Sequence, residues 1–406
     1  MSILDIQDKF LIDNSIVDAE YHSHQSSNTV FDYNDEIRIS VEGDRPTLPS
    51  KSYLYVEGQV VNAADSKPIK TVKFVNNGVT HLFSEIRYEI NGITIDSTSK
   101  PGPTSTIKGY ISHTPTQAIK LQNAGWKPDE IISSVSALPY NDDGTFRVCI
   151  PLSALLGFAE DYKKIILNIR QELVLIRSSS DDNALFHATD KGKVVIRRLL
   201  WKLPHIVANL QEELALSKYI EKNIDTHVAF RSWELHTLKD IPRTTSLSWN
   251  IKSVKKSQSP LYVILAFQAG RDGKLAQDTS HYDDIYLTNV RVFLNSIKYP
   301  YDNLNENIGK HELCTLYDMY ARFQESYYEK ESEPLLSLEK FSSRAPIVVI
   351  DCSKQPESIA YQTQSVNVRV ELDAHANIKN DVTAFCLLIY ERQFTYNALT
   401  KYVKPL

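Results

Sequence analysis

Apolar and polar positions in this chain alternate in short runs, most of them too short for helices. The run Ser365 to Leu372 (SVNVRVEL) alternates with period two, as a strand buried on one face should. Lys51 to Val61 (KSYLYVEGQVV), Leu261 to Gln268 (LYVILAFQ) and Pro346 to Asp351 (PIVVID) are rich in β-branched and aromatic residues. Turn steps separate the runs: Asn77-Gly78, Asn91-Gly92, Asp143-Gly144 and Asp272-Gly273. Many short strands at such spacing predict an all-β sandwich or barrel.

Helical spacing is confined to two places. From His311 to Tyr328, the residues Leu313, Leu316, Tyr317, Tyr320, Phe323 and Tyr327 form one apolar stripe at helical period. This predicts a helix covering the side of a sandwich. A second, shorter helix is expected around Gln211 to Lys222.

The chain also repeats itself. Glu85 to Ile93 (EIRYEINGI) matches Asn289 to Ile297 (NVRVFLNSI), 204 residues on; Asn168 to Leu173 (NIRQEL) matches Asn367 to Leu372 (NVRVEL), 199 residues on. Leu54 to Val56 (LYV) recurs at Leu261 to Val263. The matches keep one order at an offset near half the chain, which argues for two copies of one β domain rather than a single closed barrel. Asn91-Gly92 and Asn295-Ser296 then read as equivalent hairpin turns, with Asn or Gly at positive φ. The expected layout is an arm over residues 1–27, a first domain over 28–210 and a second over 211–406, with the boundary between about Pro204 and Asp225. Arg87, Arg291, Arg170 and Arg369 recur at matched positions and are expected to pair within each domain, with pairing between subunits as the alternative.

Composition narrows the function. With 406 residues, 42% hydrophobic, the chain can fill two cores, and 23% charged residues at net charge −5 describe a globular protein rather than a disordered one. No stretch approaches the ~20 apolar residues of a membrane span, and the N-terminus lacks the basic start of a secretory signal, so an intracellular, non-secreted protein is expected. The four cysteines, Cys149, Cys314, Cys352 and Cys386, contain no C-x-x-C pair and are expected as buried thiols. Basic residues cluster only at Lys252 to Lys256 and at Arg197-Arg198 near Lys202, too few for a phosphate-tracking surface, so direct nucleic-acid binding is not expected.

Catalytic patterns are missing from the sequence: no G-x-S-x-G, H-E-x-x-H or phosphate-binding loop occurs. His22-x-His24 has the spacing of a strand-borne metal pair but lies in a polar segment and is expected to be solvated. The adjacent acids Glu160-Asp161, Asp181-Asp182 and Asp283-Asp284 would point to opposite faces of a strand, so none is expected to form an acid/base couple. Asp181-Asp182, after Ser178 to Ser180, reads as an exposed loop. No catalytic, cofactor-binding or metal-binding residue is therefore assigned. The chain's 22 tyrosines and four tryptophans (Trp126, Trp201, Trp233, Trp249) suit either sugar stacking or subunit contacts.

Several strings resemble a known family. Tyr299 to Leu304 (YPYDNL), Leu316 to Tyr328 (LYDMYARFQESYY), Phe341 to Cys352 (FSSRAPIVVIDC), Ala384 to Asn397 (AFCLLIYERQFTYN) and Phe83 to Asp96 (FSEIRYEINGITID) resemble hexon-like double jelly-roll major capsid proteins of the Polinton/Maverick and adintovirus kind. The resemblance runs from about Thr29 to the C-terminus. It implies an all-β fold of two tandem jelly-roll sandwiches with a few short helices. It further implies a non-enzymatic capsid subunit that forms homotrimers of pseudo-hexagonal outline, tiles an icosahedral shell and meets penton or minor capsid proteins. Such a protein is made inside the host cell and resides in the virion. The arm would lie on a neighbour or the inner shell, and the loops Pro101 to Asp143 and Gly270 to Tyr286 would form an outer tower or trimer contacts. Two other readings remain open: a domesticated capsid-like assembly protein, and a double jelly-roll protein that binds or processes glycans.

Overall fold

Eight strands from each half of the chain pair in the same order. The computed structural model describes residues 15–127, 136, 138, 140–187, 190–251, 259–355 and 366–406. The first half holds β1 (Ile16–Gln25), β2 (Glu36–Val41), β3 (Tyr53–Asn62), β4 (Lys73–Phe74), β5 (Phe83–Ile90) and β6 (Ile93–Ser99). Helices α1 (Pro101–Ser112) and α2 (Pro115–Lys120) follow, then β7 (Thr145–Pro151), α3 (Gly157–Asp161), β8 (Gln171–Arg177), β9 (Leu185–Phe186) and β10 (Gly192–Ala208). Helix α4 (Leu210–Glu221) leads into β11 (Asp225–Leu238), β12 (Ser246–Ile251), β13 (Tyr262–Ala269), β14 (Leu287–Leu294) and β15 (Ile297–Tyr299). The chain then forms α5 (Cys314–Ala321), α6 (Phe323–Tyr328), α7 (Leu338–Arg344), β16 (Val348–Asp351), β17 (Val368–Ala374), β18 (Val382–Asn397) and β19 (Val403–Pro405).

The first half builds two four-stranded sheets, β1-β10-β3-β7 and β2-β8-β5-β6; the second builds β11-β18-β13-β16 and β12-β17-β14-β15. With the short pair β4-β9 and the added strand β19 (on β18) set aside, the eight remaining strands of each half pair in one and the same order, so each sandwich is a jelly roll and the chain is a double one. The duplication extends to details. Both β5 and β14 carry a bulge against their neighbour, at Phe83/Glu85 and at Leu287/Asn289, again 204 residues apart. Both hairpins turn on asparagine at positive φ, 49° at Asn91 and 55° at Asn295.

The second sequence match is two residues out of register. The Asn91 amide donates to the Arg170 carbonyl, and the Asn295 amide donates to the Asn367 carbonyl. Arg170 thus stands where Asn367 does, not where Arg369 does. A slip of two leaves every side chain on its own face, so alternation alone could not detect it. All four arginines do pair within their own domain: Arg87 with Glu36, Glu85 and Glu89, Arg170 with Glu42 and Glu172, Arg291 with Asp373, Arg369 with Glu371.

Several expectations change on contact with the fold. The described part of the expected arm over residues 1–27 contains a strand: β1 pairs antiparallel with β10 from Ile16 to Gln25, as the edge of the first sheet. Residues 1–14 lie outside the described residues, as do Ser365 and Lys252 to Lys256. The low end of the expected boundary, Pro204, sits inside β10, opposite Tyr21; the chain leaves the first sandwich after Ala208. The helix expected over His311 to Tyr328 is two short ones, α5 and α6, meeting at Arg322, and its stripe is buried at Leu313, Leu316, Tyr320, Phe323 and Tyr327. The expected helix around Gln211 to Lys222 is α4. Of the thiols, Cys352 and Cys386 are buried, Cys149 is half-buried and Cys314 is exposed, and none is bridged.

Asp181 corrects the loop reading most sharply. It is 2% exposed and receives hydrogen bonds from the Arg177 guanidinium, the Val194 amide (2.8 Å) and the Tyr33 hydroxyl (2.9 Å). Arg177 is equally buried and also donates to the Leu82 carbonyl at 2.7 Å. The pair ties the end of β8 to the start of β10 inside the sandwich. Asp181→Asn keeps the shape and removes the charge facing Arg177, so a loss of about 1.5–3 kcal/mol is expected. Urea unfolding at pH 7 followed by tryptophan fluorescence measures it.

Candidate functional site: the seam between the two jelly rolls

What β13 and β3 bury differs, and the difference locates the seam. β3 alternates buried and half-buried residues as a strand with one wet face does, whereas β13 is buried at seven consecutive positions, Tyr262 to Gln268. The outer face of the second sandwich is covered, and α1 is part of the cover. Ile107, Tyr110 and Ile111 of α1, with Trp126 beyond it, belong to the core of the second jelly roll. Conversely, Val228 and Phe230 of β11, with Phe394 and Tyr396 of β18, belong to the core of the first.

The segment Pro101 to Asp143, expected as an outer loop, therefore begins as a buried helix. Eleven of the twelve α1 residues are buried. Its two glycines and several Ser and Thr residues are poor helix formers, so tertiary packing rather than propensity holds it. Gly109 is required by contact: a Cβ there would lie 2.5 Å from the Trp126 ring. The local signal was present in Pro101 at the first helical position and in Ile107, Tyr110 and Ile111 at i, i+3 and i+4.

At the centre of the seam lies a closed ionic network. Lys108 of α1 is 3% exposed, and its ammonium donates to Glu160 Oε1 (3.0 Å) and Oε2 (3.2 Å), Ser112 Oγ (2.8 Å) and the Tyr328 hydroxyl (3.0 Å). The Tyr327 hydroxyl donates to Glu160 at 2.8 Å, and the Tyr328 hydroxyl donates to it as well. The ammonium also sits 4.3 Å from the Tyr327 ring centre and 4.8 Å from that of Trp233. Burial pulls the Lys108 pKa down, opposed by Glu160. Burial, reinforced by Glu160, pushes the Tyr327 and Tyr328 hydroxyls well above their ordinary value.

Asp161 serves a second cation. Arg231 of β11 donates through Nη2 (2.7 Å), Nε (2.8 Å) and its backbone amide (2.8 Å), and its guanidinium lies 3.5 Å from the Tyr327 ring centre. Glu160 and Asp161 stand not on a strand but at the end of the short helix α3; Glu160 pairs with Lys108 of its own half and accepts from Tyr327 and Tyr328 of the other, and Asp161 pairs with Arg231 across the seam. Beside them the backbones nearly touch. A Cβ on Gly157 would fall 1.7 Å from the Arg231 carbonyl oxygen. Phe158 carries the apolar contact, its ring centre 4.7 Å from Tyr88, 5.5 Å from Phe230 and 6.1 Å from Phe394. Asp96 closes the set by accepting from the Phe158 amide (3.0 Å) and the Ser232 hydroxyl (2.9 Å).

This arrangement ties the two jelly rolls together through an ion pair, hydrogen bonds and ring contacts. A cleft of about 650 Å³ opens beside Glu160, but the carboxylate is committed to Lys108, Tyr327 and Tyr328. Asp283 is likewise held by Arg271 at 2.7 Å. Among the described residues no group of three or more His, Cys, Asp or Glu side chains is placed to hold a metal ion. His22 turns its Nε2 to Glu20 at 3.0 Å, and His24 faces His205. Trp126, Trp201 and Trp233 are buried and Trp249 packs half-buried against the second core, so the exposed large rings of the described residues are tyrosines, among them Tyr21, Tyr301 and Tyr402. No helix among the described residues is long and apolar enough to cross a membrane.

A family model for the double jelly roll-like domain matches residues 72–394. The chain belongs to the double jelly roll-like domain family. No curated protein matches this double jelly-roll chain by sequence. Solved structures match it over nearly its full length. PBCV-1 VP54, fitted into a reconstruction of the virophage Sputnik, aligns with a TM-score of 0.61 at 10% identity, covering 98% of both chains. A chain from the structure of the Sputnik virophage gives 0.63 at 8% identity, covering 100% of this chain and 91% of the other. The mavirus major capsid protein gives 0.55 at 12% identity, covering 100% and 92%. At such identities the likeness is one of fold.

Proposed function

We propose that this double jelly-roll chain is the major subunit of an icosahedral, virus-like capsid and acts as a homotrimer of pseudo-hexagonal outline. The observation that carries the reading is the duplication itself, two sandwiches of identical strand order locked at one seam. A trimer of such subunits presents six similar walls, which can tile a surface in near-hexagonal contact although the symmetry is only threefold. A rigid seam matters there, because a hinge within the subunit would blur the angles between walls. The fold is shared with the mavirus and Faustovirus major capsid proteins. The sequence strings described above favour the Polinton and adintovirus branch.

Exposed apolar side chains supply candidate contacts. Leu210 and Leu214 stand one turn apart on α4, 72% and 54% exposed. A hydrogen bond from the Asn209 amide to the Ser15 carbonyl brings them beside the exposed Ile16 and Val17. Apolar groups so placed suit burial between subunits. On this reading the partners are further copies of the chain, then penton or minor capsid proteins; the place of action is the virion shell, assembled inside the host cell, and no catalysis is involved.

Light scattering on the purified protein tests the reading. A species of three times 46.3 kDa, showing a pseudo-hexagonal face in negative stain or closing into shells, is expected. A monomer that persists at high concentration across a range of salt overturns it.

A further inference from the structure

Three imidazoles meet at the open edge of the first sandwich. His22 and His24 point inward from β1, and His205 meets them from β10. The His22 and His205 rings stack with centres 4.3 Å apart, while His24 Nε2 lies 3.1 Å from His205 Nε2 with centres 5.3 Å apart. Two ring nitrogens so close share one proton, one donating and the other accepting through its lone pair. With a proton on each, the contact becomes a repulsion between two cations.

The strand they hold has little else. Eight of its ten residues are exposed and none is buried, and as the edge of its sheet it pairs only with β10. Its side-chain anchors beyond the trio are few: Tyr21 packs on Tyr53 at 5.6 Å and donates to the Lys51 carbonyl at 3.3 Å. A strand with so few apolar contacts belongs to the least stable part of a fold.

We propose that His22, His24 and His205 form an acid-sensitive latch that holds β1 on β10 at neutral pH and releases it in acid. The charged groups around the trio set the sign. From β1 comes Glu20, bonded to His22; from the loop before β3 come Arg45, 3.4 Å from Glu20, and Asp44. Full protonation would place three imidazolium ions and one guanidinium against two carboxylates. Glu20 lies 3.0 Å from His22 Nε2, and the His22 ring is stacked on His205. Burial first, then the charges of His205 and His22, draws the His24 pKa from 6.5 down to about 4, and burial and His22 lower that of His205. The latched state therefore holds fewer protons than the released strand, and release takes protons up. Latch stability is complete above pH 6.5 and falls as pH drops toward 4. Release would bare the β10 backbone from Leu200 to Ala208.

The test is deuterium exchange on the full chain at pH 7.5 and at steps down to 4, with labelling times corrected for intrinsic exchange. With pKa values of 6.5 released and about 4 latched, His24 alone raises opening of β1 about 30-fold at pH 5.0. Protection of β3 is expected to hold, and the His24→Gln/His205→Gln double variant is expected to flatten the profile. Unchanged β1 protection down to pH 5.0, or an equal loss in the double variant, overturns the proposal. Should that variant fail to fold, the wild-type profile decides: onset near pH 6.5 supports the latch, and onset only below 4.5, where carboxylates titrate, refutes it.

Discussion

Glu160→Ala is expected to destabilise the protein by about 3–5 kcal/mol. The reason is what remains rather than what is removed. Lys108 would keep its ammonium in a site 3% exposed, with Arg231 nearby and only Ser112 and Tyr328 as polar partners. The Tyr327 and Tyr328 hydroxyls would lose their acceptor together. Since the penalty is an uncompensated charge, removing that charge should restore much of the loss. Lys108→Met in the Glu160→Ala background is therefore expected to be more stable than Glu160→Ala alone, although Lys108→Met by itself destabilises. Guanidinium unfolding of the four proteins in a double-mutant cycle measures the coupling. Additive losses would mean that the two residues do not act as a pair.

Phe158→Ala is expected to cost about 3–5 kcal/mol as well, by a different route. Its ring is fully buried against Tyr88 from the first jelly roll and against Phe230 and Phe394 from the second. Truncation leaves a cavity on the seam itself, where the neighbouring backbones are held close by Gly157 and the Asp161–Arg231 pair and so cannot collapse into it. The two cores exchange residues across this seam, so the wild type is expected to unfold in one transition and Phe158→Ala in two. Calorimetry distinguishes these outcomes. A single transition in the variant, merely shifted down, would place the loss within one core instead of at the seam.

Neither the seam role of Glu160 nor that of Phe158 was legible in the sequence, and the reason is physical. Strand alternation, turn chemistry and the stripe from Leu313 to Tyr327 are local: each can be read from neighbours along the chain, because a pleat or a helix turn imposes its period whatever lies opposite. The internal match at an offset of 204 is equally legible, since two copies of a fold need the same turns and bulges at the same places. The LYV and EIRYEINGI matches fall on corresponding strands for that reason.

What the seam does could not be read that way. Lys108 looks like any lysine of a connecting segment until Glu160, 52 residues on, and Tyr328, 220 residues on, close around it. Asp181 looks like the tip of a serine-rich loop until β10 brings the Val194 amide to it. His22-x-His24 reads as a solvated pair until pairing with β10 supplies His205, 181 residues from His24. For Lys108 and Asp181 the local pattern predicts exposure and a distant partner reverses it, whereas His22 and His24 stay half-exposed and gain a partner the local pattern could not show. The sequence by itself determined that this is a duplicated all-β protein, because hydrophobic period and turn residues act over a few positions. Only the tertiary structure decided which charges are buried, which strand brings its histidines to His205 and how the two jelly rolls are locked, because those depend on groups that meet only after the chain has folded.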